Sequence, residues 1–240
     1  MNLTKKRIKA CWLAAFIFIP ISLIYGQPSK VLRVKNGQDA TKYISAKDRY
    51  QYPDFEFGRL SYINGKYAVS KLNYCYLLGE IMFINAQGDT LAIADNNKIK
   101  FADIGNARFY PVPENGFVEV IEDFGTVLLT KKTQYQKHGI EKKGAYQNSN
   151  EIGSIYNAST FTDITGRTTM LPASNTVLLK TMTTYLFMDI NRRFSKASKT
   201  SLLKIFSKNK NGIEEYLDGQ KIDFNNEEDL KKAVRYCSEL

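Results

Sequence analysis

The chain has 240 residues but only one histidine, one tryptophan and three cysteines, so it is poor in the groups most enzymes use for chemistry. A single histidine excludes every site built on two or more, including zinc sites of the His-Glu-x-x-His kind. A Ser-His-Asp or Cys-His arrangement would have to use His138. His138 sits among Lys131, Lys132, Lys137, Lys142 and Lys143, a setting that suits a solvated basic turn, and no Gly-x-Ser-x-Gly elbow accompanies it. Walker A and dinucleotide-binding glycine patterns are missing as well. No catalytic set, metal site or cofactor is therefore implied.

Long apolar runs are also scarce. The mostly apolar stretch 12–24 spans 13 residues, short of the ~20 that cross a bilayer. It follows a basic start (Lys5, Lys6, Arg7, Lys9) and ends at the small residue Gly26, the pattern of a secretory signal cleaved after 26. Cys11 precedes the apolar run, so it is not a lipid-acceptor cysteine. Loss of 1–26 removes four positive charges and Trp12, so the formal charge falls from +10 to +6. No later run would make a transmembrane helix. Export places Cys75 and Cys237 under oxidising conditions, where a bridge between them can form. Cys237 also falls on an apolar helical stripe with Leu230, Ala233 and Val234, which suits a buried free thiol equally well.

What remains is β-rich. Residues 27–56 read as an extended arm with one strand at 31–34. From 57 the hydrophobic period becomes two, and Asn64-Gly65 between alternating runs predicts a hairpin with a type I′ turn. A second hairpin follows through Asn85 and Gly88, and further strands are expected at 98–104, 107–110, 117–121 and 126–135. Strands this short and evenly spaced predict an antiparallel sandwich or roll over 57–190. Within it, 144–175 holds Ser, Thr, Asn or Gly at 16 of 32 positions and no period, which reads as a long mobile loop. One or two more strands are expected at 176–186. The C-terminus turns helical, at 201–207, at 211–217 up to Gly219, and from a cap at Asn226 onward. The expected class is mainly β, α+β overall, with a C-terminal helical cap at 191–240. A chain that closes in helices and lacks mature tryptophan is not an outer-membrane barrel.

Two chemical patterns fail on inspection, and two others stay open. Ser201-Leu202-Leu203-Lys204 matches Ser-x-x-Lys but lacks the companion motifs. Residues 223–234 imitate a calcium loop, yet Glu228 and Val234 stand where it needs Gly and Glu. Glu119, Glu122 and Asp123 could pair as glycosidase acids, which makes a carboxylate hydrolase the alternative function. Tyr62, Tyr67, Tyr74 and Tyr76 cluster in the first strands, either as cross-strand core pairs or as a sugar-stacking platform.

The charge is uneven. Residues 189–210 carry a net +6, whereas 211–240 carry a net −4. Arg192, Arg193, Lys196 and Lys199 are the candidate anion-binding residues, toward lipid headgroups or an acidic polysaccharide. Export argues against a nucleic-acid partner.

The stretch 72–91, with Gly79-Glu80-Ile81-Met82-Phe83-Ile84 and Gly88-Asp89-Thr90-Leu91, resembles a set of uncharacterised exported proteins of the Bacteroidota. So does the tail from Leu202-Leu203-Lys204-Ile205-Phe206 through Ile222-Asp223-Phe224-Asn225-Asn226-Glu227-Glu228-Asp229-Leu230. The resemblance implies a compartment, the periplasm or outer envelope, and no catalytic residue. The expectation is an exported binding or structural module of the envelope.

Overall fold

The computed structural model describes residues 31–35, 40–143, 148–151, 161–162, 168–169 and 176–240. The expected export signal, 1–26, lies outside the described residues. The class is as expected, mainly antiparallel β with C-terminal helices.

The chain begins with β1 (Val31–Lys35) and two one-turn helices, α1 (Ala40–Tyr43) and α2 (Ala46–Arg49). Seven strands follow: β2 (Glu56–Tyr62), β3 (Tyr67–Cys75), β4 (Glu80–Ile84), β5 (Thr90–Ala92), β6 (Ile99–Ile104), β7 (Ala107–Pro111) and β8 (Phe117–Asp123). Next come the long β9 (Val127–Lys143), β10 (Asn148–Glu151), β11 (Phe161–Thr162), β12 (Thr168–Thr169), β13 (Thr176–Asp189) and β14 (Phe194–Lys196). Three helices close the chain, α3 (Lys199–Ile205), α4 (Lys210–Gly219) and α5 (Glu227–Glu239). The sheet runs β1-β13-β9-β8-β7-β6-β2-β3-β4-β5, with β10 on β9 and β14 on β13.

Three expectations change. The described part of the arm at 27–56 holds the expected strand, β1, paired with β13 (Val34 opposite Val177 and Leu32 opposite Leu179), but then turns into α1 and α2. Val34, Ala40, Ile44, Val177 and Leu179 form a small core that fixes this segment to the sheet. Most of the loop expected at 144–175 lies outside the described residues, but β10 pairs with β9, and β11 with β12. Backbone ladders need no hydrophobic period, so composition did not reveal them. The Asn64-Gly65 turn is wider than type I′. Gly65 alone takes positive φ (82°), its N–H reaches the Tyr62 carbonyl, and the Asn64 Oδ1 accepts from the Lys66 N–H. That is a three-residue loop with a glycine bulge.

Alternation sorts the sheet into two faces. Leu60, Ala102 and Phe109 are opposed in register across β2, β6 and β7, and Leu72, Tyr74 and Ile81 continue the same face on β3 and β4. Together with Ile104 and Phe117 they make the first core. The same face of β9 and β13 carries Val127, Leu129 and Phe187, on which Leu202, Ile213, Leu217, Leu230, Val234 and Cys237 of the helices pack. The sheet curls so that its far part returns to β8 and β9: the Gly79 carbonyl accepts from the Phe117 N–H, and the Tyr76 carbonyl from the Tyr135 N–H. Glycine is needed at this seam, because a Cβ on Gly116 would stand 2.1 Å from the Gly79 oxygen. The fold is thus a roll rather than two stacked sheets.

The helical end is tied by caps. The Ser198 Oγ accepts from the Ser201 N–H, and the Asn226 Oδ1 accepts from the N–H groups of Glu228 and Asp229. The stop expected at Gly219 falls on Lys221, at φ 50°, with the Ile222 N–H on the Leu217 carbonyl and the Lys221 N–H on the Asp218 carbonyl. This is a Schellman ending with lysine in the left-handed position.

Candidate functional site

The structure separates the four cations named from sequence. Arg193 is bound to Asp189, with both Nε and Nη2 2.7 Å from Oδ2. Lys199 lies against α4, its Nζ 2.7 Å from Asp218 and 3.6 Å from Glu214. Lys196 is exposed on the short edge strand β14. Arg192 sits in the preceding turn with its guanidinium 5.8 Å from the centre of the Tyr110 ring. Only Arg192 joins a larger surface.

That surface is the outer face of β3, β2, β6 and β7. Leu60 faces the core, so Phe57, Arg59 and Ser61 face away from it, and register places Lys71, Val69 and Tyr67 beside them. Arg59 is opposite Asp103 on β6, and Asp103 is opposite Arg108 on β7. Both guanidiniums bond the Asp103 carboxylate, at 3.1 Å from Arg59 and 2.7 Å from Arg108. Burial alone would raise the Asp103 pKa, but the bonds to Arg108 and Arg59 outweigh it and hold the carboxyl below its usual range. An ion row therefore crosses three strands, with aromatic rings on either side. The Arg108 guanidinium lies 4.2 Å over Phe101, Phe101 meets Tyr110 at 6.1 Å, and the Lys71 Nζ lies 5.8 Å over Phe57.

This face is open. Phe57 is 74% exposed, Tyr67 68% and Val69 62%. Large apolar side chains scattered singly are ordinary on a surface, whereas these three stand together on one face among paired cations and form a patch. One acid faces four cations, Arg59, Lys71, Arg108 and Arg192, so the patch is also net positive.

The tyrosine cluster read from sequence is split by the pleat. Tyr74 is buried, stacked on Phe109 at 5.4 Å, and Tyr76 packs edge-on to it at 5.8 Å. Tyr62 also packs against the first core, and Tyr67 alone stands on the outer face. Phe57, Arg59, Phe101, Arg108 and Tyr110 were not singled out from sequence. The signal for them was there: in β2 and β3 the positions out of phase with the core are, apart from Ser61, aromatic, β-branched or basic at Phe57, Arg59, Tyr67, Val69 and Lys71.

On the inner face, a polar seam lies between the two larger cores. Glu119 is opposite Lys131, and Lys131 is opposite Tyr185. The Lys131 Nζ stands 3.9 Å from Glu119 and 3.7 Å from Glu227 of α5. Burial raises the Glu119 pKa, partly offset by Lys131 and by the amide of Gln51, which donates to Oε2 at 3.2 Å. Burial likewise pushes the Tyr76 hydroxyl up to about 12. Glu122 and Asp123 do not join Glu119: Glu122 binds Arg235 at 2.8 Å and Asp123 accepts from the Gly125 N–H.

A second buried polar group lies at the roll seam. Lys132 is 6% exposed and donates to the backbone and side-chain oxygens of Asn115. Burial lowers its pKa and the nearby Glu80 opposes that; Glu80 itself is raised by burial and accepts from Asn96 at 3.0 Å. These groups staple β4, the β7–β8 loop and β9 together.

The remaining candidates are structural or exposed. Ser201 bonds the cap residue Ser198, and Lys204 is exposed. His138 is exposed in mid-strand on β9, not in a turn, as the extra residue where the register with β13 shifts between Lys137 and Gly139. Cys75 and Cys237 are both buried free thiols, with burial pushing the Cys237 thiol up to about 11.

No helix among the described residues is long and apolar enough to cross a membrane. No family model matches the chain, and no curated protein or solved structure does either.

Proposed function

We propose that the protein is an exported binding module of the bacterial envelope, without catalytic activity, and that the outer face of β3, β2, β6 and β7 engages an acidic polysaccharide. The observation that carries this reading is the exposed set Phe57, Tyr67 and Val69 alongside the Arg59–Asp103–Arg108 row. Aromatic rings offer flat apolar surface to sugar rings, and guanidiniums pair with carboxylates. Four adjacent strands span about 14 Å at ~4.8 Å spacing, enough for several consecutive sugar units. The rings sit on paired strands, so little ordering is lost on contact. Export, and the periplasm or outer envelope as the destination, belong to this reading through the basic, apolar, small-residue pattern of 1–26.

Affinity electrophoresis of the purified protein through gels containing polygalacturonate, neutral glucan or no glycan tests it, with flotation on anionic vesicles in parallel. Retardation by polygalacturonate alone, weakening with salt, is expected. Equal mobility in all three gels would contradict it, and flotation without retardation would assign the face to lipid.

The hydrolase alternative rests on Glu119, whose carboxyl is raised by burial. Lys131 stands between Glu119 and Glu227, where two acids acting on a glycosidic bond would leave room for substrate or water. Release of reducing ends from polygalacturonate, lost in Glu119→Gln, would reverse the ranking.

A further inference from the structure

Beside Tyr110 the outer face runs into a cavity of about 160 Å³. At roughly 30 Å³ per water this is room for about five waters, so it admits one compact group and not a chain. Ile63, Met188 and Phe194 supply apolar lining, Tyr110 a ring, and Lys100 and Arg192 the only ionic groups; none of the lining residues is an acid. A pocket open to solvent, with apolar walls, the amides of Asn96 and Asn97, two cations and no acid in its lining, is matched to a small anion attached to something apolar or ring-like.

The turn that carries Arg192 is built to present it. The Asp189 Oδ1 accepts from the N–H groups of Asn191 and Arg193, both at 2.9 Å, while Oδ2 takes the Arg193 Nε at 2.7 Å. Asp189 thus occupies Arg193 and leaves Arg192 without a carboxylate partner among the described residues. Arg192 holds φ 59°, a conformation that glycine would adopt without cost. Arginine stands there with its guanidinium over Tyr110.

The geometry points to this cavity as a subsite for a carboxylate borne on a sugar ring, with Arg192 and Lys100 holding the anion and Tyr110 lying against the ring. This rests on the outer face being a glycan surface, and it adds the specificity: the end unit of the bound chain must be a uronate.

The test is calorimetric titration of the full chain with a galacturonic acid trisaccharide, with its fully methyl-esterified form, and with sodium sulfate. Arg192→Gly removes the guanidinium while relieving the left-handed backbone, so its melting temperature should equal or exceed that of the wild type. It should bind the acid trisaccharide roughly tenfold or more weakly and the ester unchanged. Phe57→Ala/Tyr67→Ala should weaken both forms. If Arg192→Gly and Lys100→Ala bind the acid like the wild type while Phe57→Ala/Tyr67→Ala does not, the subsite is wrong and the outer-face reading stands. If the wild type binds neither form, both fall. Arg192-dependent binding of sulfate as tight as that of the trisaccharide would overturn the sugar-ring part.

Discussion

Gly116 and Lys221 are opposite cases of one backbone constraint. Gly116 has φ 66° and no room for a Cβ, since the Gly79 oxygen would lie 2.1 Å away. Gly116→Ala should therefore destabilise by about 3 kcal/mol or more, read as a shift in the urea midpoint. Lys221 has φ 50° in a helix ending whose hydrogen bonds any residue can make, so Lys221→Gly should stabilise by about 0.5–1 kcal/mol. A destabilised Lys221→Gly would mean that the lysine side chain contributes more than its backbone strain costs. Glycine turn signals at 65, 88, 105 and 116 were legible in the sequence, because glycine in those places advertises positive φ. The positive φ values of Glu114, Arg192 and Lys221 were not, since each residue type is ordinary in other conformations and only the fold forces the exception.

At the scale of elements, periodicity located the starts of the strands from β2 to β9 and of the three helices to within a few residues, but it ended β9 at 135, eight residues short of Lys143. The α5 start was readable because Asn226 precedes three acids, and the structure places its Oδ1 on two free N–H groups. Asn226→Ala should cost about 1 kcal/mol, a fall of roughly 3 °C in melting temperature for a chain of this size. Pieces defined by backbone pairing alone escaped notice. β10 has no hydrophobic alternation, whereas the strand expected at 31–34 is β1, with Val34 opposite Val177. The outer aromatic and cationic face was hidden for a related reason. Its members lie on four strands, and only register brings Phe57, Val69, Arg59, Asp103 and Arg108 side by side.

For the whole molecule, the acidic tail is the counterweight to the basic stretches. Lys199 pairs with Asp218 and Glu214, joining α3 to α4, while Lys131 with Glu227 and Arg235 with Glu122 tie α5 to the sheet. The outer face keeps Arg59, Lys71 and Arg108 against the single acid Asp103. On the inner face, Glu119 titrates above its ordinary value of 4.5 because it is buried. The folded state takes up this proton at a higher pH than the unfolded state. Between the two pKa values N therefore binds more protons than U, and stability rises as pH falls through that window. At neutral pH the buried charge costs stability. Glu119→Gln should raise stability at pH 7 by about 0.5–1 kcal/mol after solvent screening, and the gain should vanish as pH falls below 4.5. Equal gains at both pH values would show that packing, not charge, is responsible.

The central claim is that an open aromatic and cationic sheet face, and not the sequence-conspicuous stretch 189–210 as a whole, binds an acidic glycan. Binding of Phe57→Ala/Tyr67→Ala to polygalacturonate, compared with that of Lys196→Ala/Lys199→Ala, tests it most directly, since Phe57 and Tyr67 are exposed and their loss leaves the core intact. Calorimetry should show affinity falling at least tenfold in the first variant and less than twofold in the second. Unchanged affinity in Phe57→Ala/Tyr67→Ala, with loss in Lys196→Ala/Lys199→Ala, would contradict the account.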